Sequence, residues 1–312
     1  MVDLTRKRAA AAALFIIALL FGLGPLHSLR AEPASAARAE TASAAGETPE
    51  KAACDRAAFR LVVDVGHTKE VPGAISARGL YEYEFNLRLA KLVVERLNQA
   101  GFDKTLLLVT GGRAHGSLVQ RVARANSSSA DLFLSIHHDS VPNSFLEKWE
   151  FLGRRLGFSD RFKGHSIFVS NSNPDYRTSL QFGSLLGKEL KAGGLVYAHH
   201  YTEKFMGHRQ RILVDAENGV YRYDQLIVLK DTRIPAVLLE AGSIINRDEE
   251  QAMASPERQQ AIASGVVRAV ENFCAARGSP LVDRIARQHS KPPAKASPLR
   301  AALHRSARAK SQ

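Results

Sequence analysis

The segment DLFLSIHHDS (residues 131–140) joins a short apolar run to two adjacent histidines and a carboxylate. Near-continuous apolar runs of this length predict strands that are buried on both faces of a sheet. Five other segments share the pattern: RLVVDV (60–65), TLLLV (105–109), SIFVS (166–170), QLIVL (225–229) and PAVLLE (235–240). Together the six runs predict a six-stranded sheet that is largely parallel or mixed.

Helical patterns lie between these predicted strands. Within residues 85–97 the apolar side chains recur at i, i+4, i+7, i+8 and i+12, which places them on one stripe of a helix. Further amphipathic segments cover residues 117–127 and 177–194, and a last helix is predicted from Pro256, after Ser255 as N-cap, to Phe273. Because strands alternate with helices, the sequence predicts a single α/β domain over residues 57–275, with helices on both faces of the sheet.

The N-terminal region predicts export. Three basic residues (6–8) precede an uncharged apolar run, Ala9–Leu23, and Ala34-Ser35-Ala36 offers a small-residue cleavage site. This order is typical of a secretory signal peptide, which we assign to residues 1–36. The apolar run is shorter than the ~20 residues that a membrane-spanning helix usually needs. An uncleaved N-terminal anchor is the alternative.

The segments on either side of the predicted domain have biased compositions. Residues 37–56 are rich in Ala, Ser and Glu and predict a disordered linker. Residues 276–312 hold nine Lys or Arg residues against one Asp, which is a large share of the net charge of +12, and predict a disordered basic tail. Such a tail could aid solubility or attach weakly to an anionic polymer or membrane surface. Nothing in the sequence suggests a specific nucleic acid partner.

The two cysteines, Cys54 and Cys274, lie just outside the first predicted strand and at the end of the last predicted helix. In an exported protein this pair could form one disulfide that closes the two ends of the domain. Two unrelated buried thiols are the alternative.

Four titratable side chains lie where a functional site of this fold class is expected. Ligands of open α/β sheets bind beyond the carboxyl ends of the strands. His67 follows the first predicted strand, His137 follows the third, and Glu240 ends the last, while the loop after His67 leads to Glu82 at the start of a helix. Two histidines and one carboxylate with an open fourth position are typical of a catalytic zinc site. A lone histidine at a strand end is more often a hydrogen-bonded loop residue, so the coincidence of all four carries the prediction.

The segments around these residues resemble a known family. DVGH (64–67), PGAISARGLYEYEFNLRLA (72–90), SIHHDS (135–140) and IPAVLLEAGSIIN (234–246) are similar to motifs of the zinc-dependent N-acetylmuramoyl-L-alanine amidases, in the same order. The resemblance covers about residues 60–275. It implies hydrolysis of the peptidoglycan amide that joins the lactyl group of N-acetylmuramic acid to L-alanine. It also implies that His67, Glu82 and His137 are the zinc ligands and that Glu240 is the catalytic glutamate.

The family motifs indicate which of two neighbouring residues matches each ligand position. Glu82 rather than Glu84 corresponds to the ligand, because the family places its glutamate five residues before the leucine that Leu87 matches. His138 stands where the family usually has alanine, and strand alternation sends its side chain away from that of His137. Asp64 and Asp139 are candidates for orienting the ligand imidazoles, with a capping or turn role as the alternative.

The chain also departs from the family pattern. Thr68 and Lys69 replace two glycines after the first histidine, and Ser243 replaces an aromatic residue after the catalytic glutamate. These changes concern substrate preference more than catalysis, since all four candidate site residues are retained.

Two long connections, residues 142–164 and 198–224, are candidate binding loops. In the first, Phe145, Trp149 and Leu152 have a spacing that could form a helix and gate the site, and the resemblance implies that a protein activator could then be needed. In the second, three histidines (199, 200 and 208) are interpreted as surface or substrate contacts rather than a second metal site, because no carboxylate lies at matching spacing.

The predicted function is therefore zinc-dependent amide hydrolysis in peptidoglycan. The export signal agrees with it, because peptidoglycan lies outside the cytoplasmic membrane, and the periplasm is the predicted location. One alternative is another zinc hydrolase that cleaves the stem peptide. The other is a non-catalytic wall-binding module that uses the basic tail, although such a module has no need for a buried, unpaired glutamate.

Overall fold

The computed structural model describes residues 54–277. In this range the strands are β1 (Arg60–Val65), β2 (Lys104–Leu108), β3 (Leu132–Asp139), β4 (Glu147–Phe151), β5 (Arg154–Phe158), β6 (Ser166–Val169), β7 (Ile212–Asp215), β8 (Val220–Arg222) and β9 (Ala236–Ser243). The helices are α1 (Glu82–Gln99), α2 (Ala114–Ser127), α3 (Tyr176–Ala192), α4 (Ile227–Lys230), α5 (Arg247–Ala254) and α6 (Pro256–Arg277).

Seven of these strands form one mixed sheet in the order β2-β1-β3-β9-β6-β8-β7. The neighbours β2, β1, β3 and β9 are mutually parallel, so their carboxyl ends meet at one edge. Strand β6 pairs with β9 in the antiparallel sense, and the edge strand β7 is antiparallel to β8. Strands β4 and β5 form a separate antiparallel hairpin.

Apolar side chains cover both faces of the sheet. On one face, Leu61, Val63 and Leu134 pack with residues of α1, α3 and α6, including Phe182 and Val266. The alternate strand residues point to the other face and pack with side chains of α2 and α4. These alternate residues include Val62, Phe133 and Leu238. This arrangement confirms the predicted α/β class with helices on both faces.

The predicted strand count was wrong. The run at residues 225–229 does not form a strand, because its last three residues belong to α4, where Val228 and Leu229 are buried. A short apolar run fits a buried helical turn as well as a strand, and packing decides between them. The missing strands come from the long connection 198–224, which contains β7 and β8. A turn with Gly219 at a φ of +69° connects them.

The helix considered as a possibility within residues 142–164 does not form. A single 3₁₀ turn over Asn143–Phe145 is followed by the hairpin, whose tip holds Leu152 and Gly153 at positive φ. Trp149 lies on β4 and donates a hydrogen bond of 2.9 Å from Nε1 to the carbonyl oxygen of Ala77. The hairpin is therefore fixed beside the loop that leads to Glu82.

Residues on either side of the predicted 57–275 boundaries pack against the domain. Cys54 and Cys274 are joined by a disulfide. Arg56, assigned to the linker from sequence, pairs with Glu271 of α6 at 2.9 Å. Helix α6 continues to Arg277, past the predicted end at 275.

The predicted signal peptide, most of the predicted linker and nearly all of the predicted basic tail lie outside the described residues. Among residues 54–277, no helix has the length and apolar content needed to span a membrane.

Candidate metal and catalytic site

The candidate site lies where the parallel strands end. His67 comes two residues after β1, His137 lies near the end of β3, and Glu240 lies on β9 as the register partner of His137. Glu82 is the first residue of α1. The structure thus brings all four candidate residues to the same edge of the sheet, as expected for an open α/β fold.

Three of these side chains form a compact cluster. The Nε2 atom of His67 lies 2.9 Å from Oε2 of Glu82, and Nδ1 of His137 lies 2.9 Å from its Oε1. One donor atom from each residue lies within 4.8 Å of the other two. The His67 side chain is 30% exposed and that of Glu82 only 7%. The carboxylate is therefore buried while one side of the cluster stays open.

The two imidazoles determine the ionisation of Glu82. Burial alone would raise the pKa of this carboxyl, but hydrogen bonds and positive charge from His137 and His67 hold the pKa well below its usual range. Glu82 is thus a carboxylate throughout the neutral pH range.

Two glycines make room for this cluster. A Cβ atom on Gly66 would lie 2.4 Å from the imidazole of His137. A Cβ atom on Gly73, which has a φ of +79°, would lie 2.5 Å from Oε2 of Glu82 and 2.6 Å from the ring of His67. Only a residue without a side chain fits at either position.

Glu240 lies next to His137 of the cluster, on the neighbouring strand. Its Oε2 atom is inaccessible to solvent and has no hydrogen-bond partner among the described residues. Burial, together with the negative charges of Asp139 and Glu82, raises the pKa of Glu240 well above its usual range, while Arg209 opposes this effect. A buried carboxyl with a raised pKa is suited to accept and return a proton.

Asp64, a candidate for orienting a ligand imidazole, makes no hydrogen bond to His67 or His137 among the described residues. It is fully buried, accepts a hydrogen bond of 2.7 Å from Ser135 and pairs with Arg121 at 3.4 Å. Burial raises the pKa of Asp64 even though Arg121 and Ser135 oppose the shift. Arg121 in turn donates a hydrogen bond to the carbonyl oxygen of His67, so Asp64 supports the His67 backbone indirectly.

Asp139 likewise has no hydrogen bond to a ligand imidazole in the described part of the chain. The Tyr201 hydroxyl donates to its carboxylate at 2.8 Å. His200 and Arg209 each place a nitrogen 3.6 Å from it. Asp139 therefore organises the segment 198–211 next to Glu240.

Of the three histidines predicted as surface or substrate contacts, His200 is not a free surface residue. Its side chain is only 9% exposed and packs edge-on against Phe162. His199 and His208 are exposed. Among the described residues, the cluster at Glu82 is the one group of potential metal ligands with suitable geometry.

Sequence reasoning missed the function of two polar residues behind the cluster. The side chain of Asn86 hydrogen-bonds Glu82, and Nδ1 of His138 lies 2.8 Å from Oδ1 of Asn86. Burial lowers the pKa of His138 to about 3, so its imidazole is neutral. The spacing of Glu82 and Asn86, four residues apart on one helix face, was the signal that could have identified this contact.

One cavity borders the cluster, and a second lies nearby at Ala74, whose backbone N–H donates to Oε2 of Glu82 at 3.2 Å. One, of about 320 Å³, is lined by His67 and His137 and by apolar residues that include Val71, Leu118 and Leu238. The other, of about 330 Å³, runs between the β4–β5 hairpin and the residues that follow the site on the chain, and we call it the hairpin groove. Its lining is Ala74, Ile75, Ser140, Val141, Asn143, Leu146, Lys148, Arg155, Leu156, Gly157 and Ile245.

The chain is similar to a known protein family, to individual relatives and to solved structures. A family model described as N-acetylmuramoyl-L-alanine amidase matches residues 61–272. The N-acetylmuramoyl-L-alanine amidase AmiA of Escherichia coli is 25% identical over 239 residues, covering 68% of this chain and 75% of AmiA. The amidase Rv3717 of Mycobacterium tuberculosis is 26% identical over 216 residues, covering 68% and 78%. Among solved structures, the catalytic domain of the amidase CwlV from Bacillus (Paenibacillus) polymyxa is 25% identical with a TM-score of 0.50, covering 69% of this chain and 97% of that domain.

Proposed function

The chain belongs to the family of N-acetylmuramoyl-L-alanine amidases, and on that premise we propose that its amide hydrolysis depends on a zinc ion held by His67, Glu82 and His137. Peptidoglycan is the substrate of this family, and the scissile bond is the amide between N-acetylmuramic acid and L-alanine. The proposal concerns the metal and the roles of individual residues.

The residues present fit zinc. Two imidazole nitrogens and one carboxylate oxygen are donors that zinc prefers, and three protein ligands leave a position for water or substrate. Both imidazoles of the cluster already direct a nitrogen at the Glu82 carboxylate, at 2.9 Å each. The outward side, where His67 is 30% exposed, gives access to a polymeric substrate.

Bound zinc would polarise the attacking water and the substrate carbonyl. Glu240 accepts a proton from that water and transfers it to the departing amide nitrogen of L-alanine. Burial next to Asp139 and Glu82 favours the proton on Glu240, so it can hold the proton between these two steps. The positive charge of Arg209 opposes this rise in the pKa of Glu240.

We place the enzyme outside the cytoplasmic membrane, in the periplasm, with an uncleaved N-terminal anchor as the alternative. The support is the basic, apolar and small-residue order of residues 1–36. The basic tail, residues 276–312, would add weak attraction to anionic polymers or membrane surfaces.

The observation that carries the proposed mechanism is the orphaned Oε2 atom of Glu240 beside a cluster of three potential zinc ligands. The test is dye release from labelled sacculi by the zinc-loaded enzyme, by the enzyme treated with a chelator, and by the Glu240→Ala variant. We expect release only from the zinc-loaded wild type and restoration of activity when zinc is returned. Analysis of the products should find stem peptides with L-alanine at a free amino end. Activity that survives complete metal removal would contradict the proposal.

A further inference from the structure

We propose that Asn86 and His138 form a positioning pair that holds the Glu82 carboxylate ready for the metal. The inference rests on the metal centre proposed above. It gives a role to the second histidine of SIHHDS, which is not needed as a ligand.

The hydrogen bonds of Asn86 define its orientation. Its amide nitrogen donates to Oε1 of Glu82 and to the carbonyl oxygen of Gly66, both at 3.2 Å. Since both of these partners are acceptors, the amide nitrogen must face them and Oδ1 must face the other way. There Oδ1 lies 2.8 Å from Nδ1 of His138, which therefore carries the proton.

With its proton on Nδ1, His138 reinforces this orientation of the Asn86 amide. In the reversed orientation, Oδ1 would face the Glu82 carboxylate, and the amide nitrogen would face the N–H of His138. The first contact would be repulsive, and so would the second unless the His138 proton moved to Nε2, in a site where Asn86 is 0% exposed and His138 only 3%. A buried polar group without a partner is costly, so the pair enforces one arrangement.

The pair connects the three segments that carry the ligands. Gly66 directly precedes His67, Asn86 lies one turn after Glu82 on α1, and His138 directly follows His137. The backbone N–H of His138 also lies 3.4 Å from Oε1 of Glu82. Asn86 therefore links the Glu82 carboxylate to the loop that carries His67, and His138 links Asn86 to β3.

This arrangement predicts an effect on metal affinity. Hydrogen bonds to metal ligands typically change affinity by about 10- to 100-fold when they are lost. We expect His138→Ala to weaken zinc binding about tenfold, measured by competition with a chromophoric chelator. His138→Asn, which offers an amide N–H where the imidazole has Nδ1–H, should restore most of the affinity.

The relation between the two residues is tested by a double-mutant cycle. If His138 acts through Asn86, the zinc affinity of Asn86→Ala/His138→Ala equals that of Asn86→Ala alone. The matched control is His165→Ala, which removes another buried imidazole whose ring nitrogens have no hydrogen-bond partner among the described residues. It should leave zinc affinity unchanged. Should His138→Ala fail to fold, His138→Asn and Asn86→Ala carry the test.

Two outcomes would overturn the inference while leaving the proposed function intact. One is wild-type zinc affinity in His138→Ala, with a cobalt-substituted absorption spectrum identical to that of the wild type. The other is a double variant whose losses simply add. Failure of the wild type itself to bind zinc, or full zinc binding by His67→Ala, would instead reject the metal centre and the inference with it.

Discussion

His137 and Glu240 are register partners on the neighbouring parallel strands β3 and β9. The pairing shifts immediately beyond them, so that Asp139 lies opposite Ser243. A potential metal ligand and the proposed proton acceptor are thus held side by side by a backbone ladder in the middle of the sheet. This backbone arrangement gives the site its precision, because strands position side chains more tightly than loops do.

Replacing Glu240 by Gln should separate catalysis from folding and from metal binding. We expect turnover of labelled sacculi to fall by roughly 10²- to 10⁴-fold, the usual contribution of a general acid–base residue. Zinc affinity should be unchanged, because Glu240 is not a ligand. The melting temperature should stay the same or rise, because the variant removes any negative charge at this position next to Asp139 and Glu82. The control is Glu84→Gln, an exposed change on α1 that should leave activity intact. Glu240→Gln with near-wild-type turnover would exclude the proposed role.

The sheet was predictable where strands form apolar runs that stand out from their surroundings. Strands β1, β3 and β9 stand out in the sequence because each is buried on both faces. Strands β7 and β8 have only four and three residues and lie among charged side chains, so no period is visible. Residues 225–229 were instead predicted as a strand that does not form, because an apolar run specifies burial but not backbone conformation.

The site was predictable to the same extent as the sheet. His67, His137 and Glu240 could be identified because strand ends of parallel sheets converge at one edge. The hydrogen-bond and ion-pair partners of Asp139 and Asp64 could not be identified from the sequence. Tyr201 reaches Asp139 from a distant connection, and Arg121 looks like a solvent-facing charge on an amphipathic helix until the tertiary structure places Asp64 against it.

Arg121 and Asp64 form a buried ion pair. Removing one partner should destabilise the domain more than replacing both. Their side chains are 2% and 0% exposed. Arg121→Met should lower the free energy of unfolding by about 3–5 kcal/mol, because it leaves a buried carboxylate without its cation. The double variant Arg121→Met/Asp64→Leu should recover most of that loss, since no unpaired charge remains. Urea unfolding measures both effects, and Arg124→Met, exposed on the same helix, is the control. Additive losses in the double variant would contradict this account.

The hairpin groove should contribute to substrate affinity. Its lining includes Lys148 and Arg155 but no acidic side chain, and it begins at residues that directly neighbour the site. A stem peptide ends in a carboxylate, which two cations would attract. We expect Lys148→Gln/Arg155→Gln to raise KM roughly threefold to tenfold with kcat unchanged, as for screened surface charges. The difference should shrink at high salt. Lys163→Gln, exposed outside this lining, should behave like the wild type. An unchanged KM at low salt would exclude this contribution.

The disulfide between Cys54 and Cys274 should stabilise the domain without affecting the site. It connects positions 220 residues apart, and Cys54 lies before β1, at the edge of the sheet opposite to the candidate ligands. The Cys54→Ser/Cys274→Ser variant should lose about 2–5 kcal/mol of unfolding free energy, because its unfolded chain is no longer constrained. Its kcat at 25 °C should match the wild type. A reductant added to the wild type should reproduce the loss, and an unchanged melting temperature under reductant would contradict the prediction.

His165 should make the domain less stable in mild acid. It is 2% exposed, and burial lowers its pKa to about 4 from the ordinary value of 6.5. Below pH 6.5 the His165 imidazole is therefore protonated in the unfolded chain, whereas in the folded chain it stays neutral until the pH nears 4. The contribution of His165 to stability is complete above pH 6.5 and is lost as the pH falls to about 4, by on the order of 3 kcal/mol. Urea unfolding of the wild type and of His165→Leu between pH 4 and 7.5 should give curves that differ by this pH-dependent amount, whereas the exposed His115→Leu control should follow the wild type. Parallel curves for the wild type and His165→Leu would show that the His165 imidazole can be protonated in the folded protein without cost.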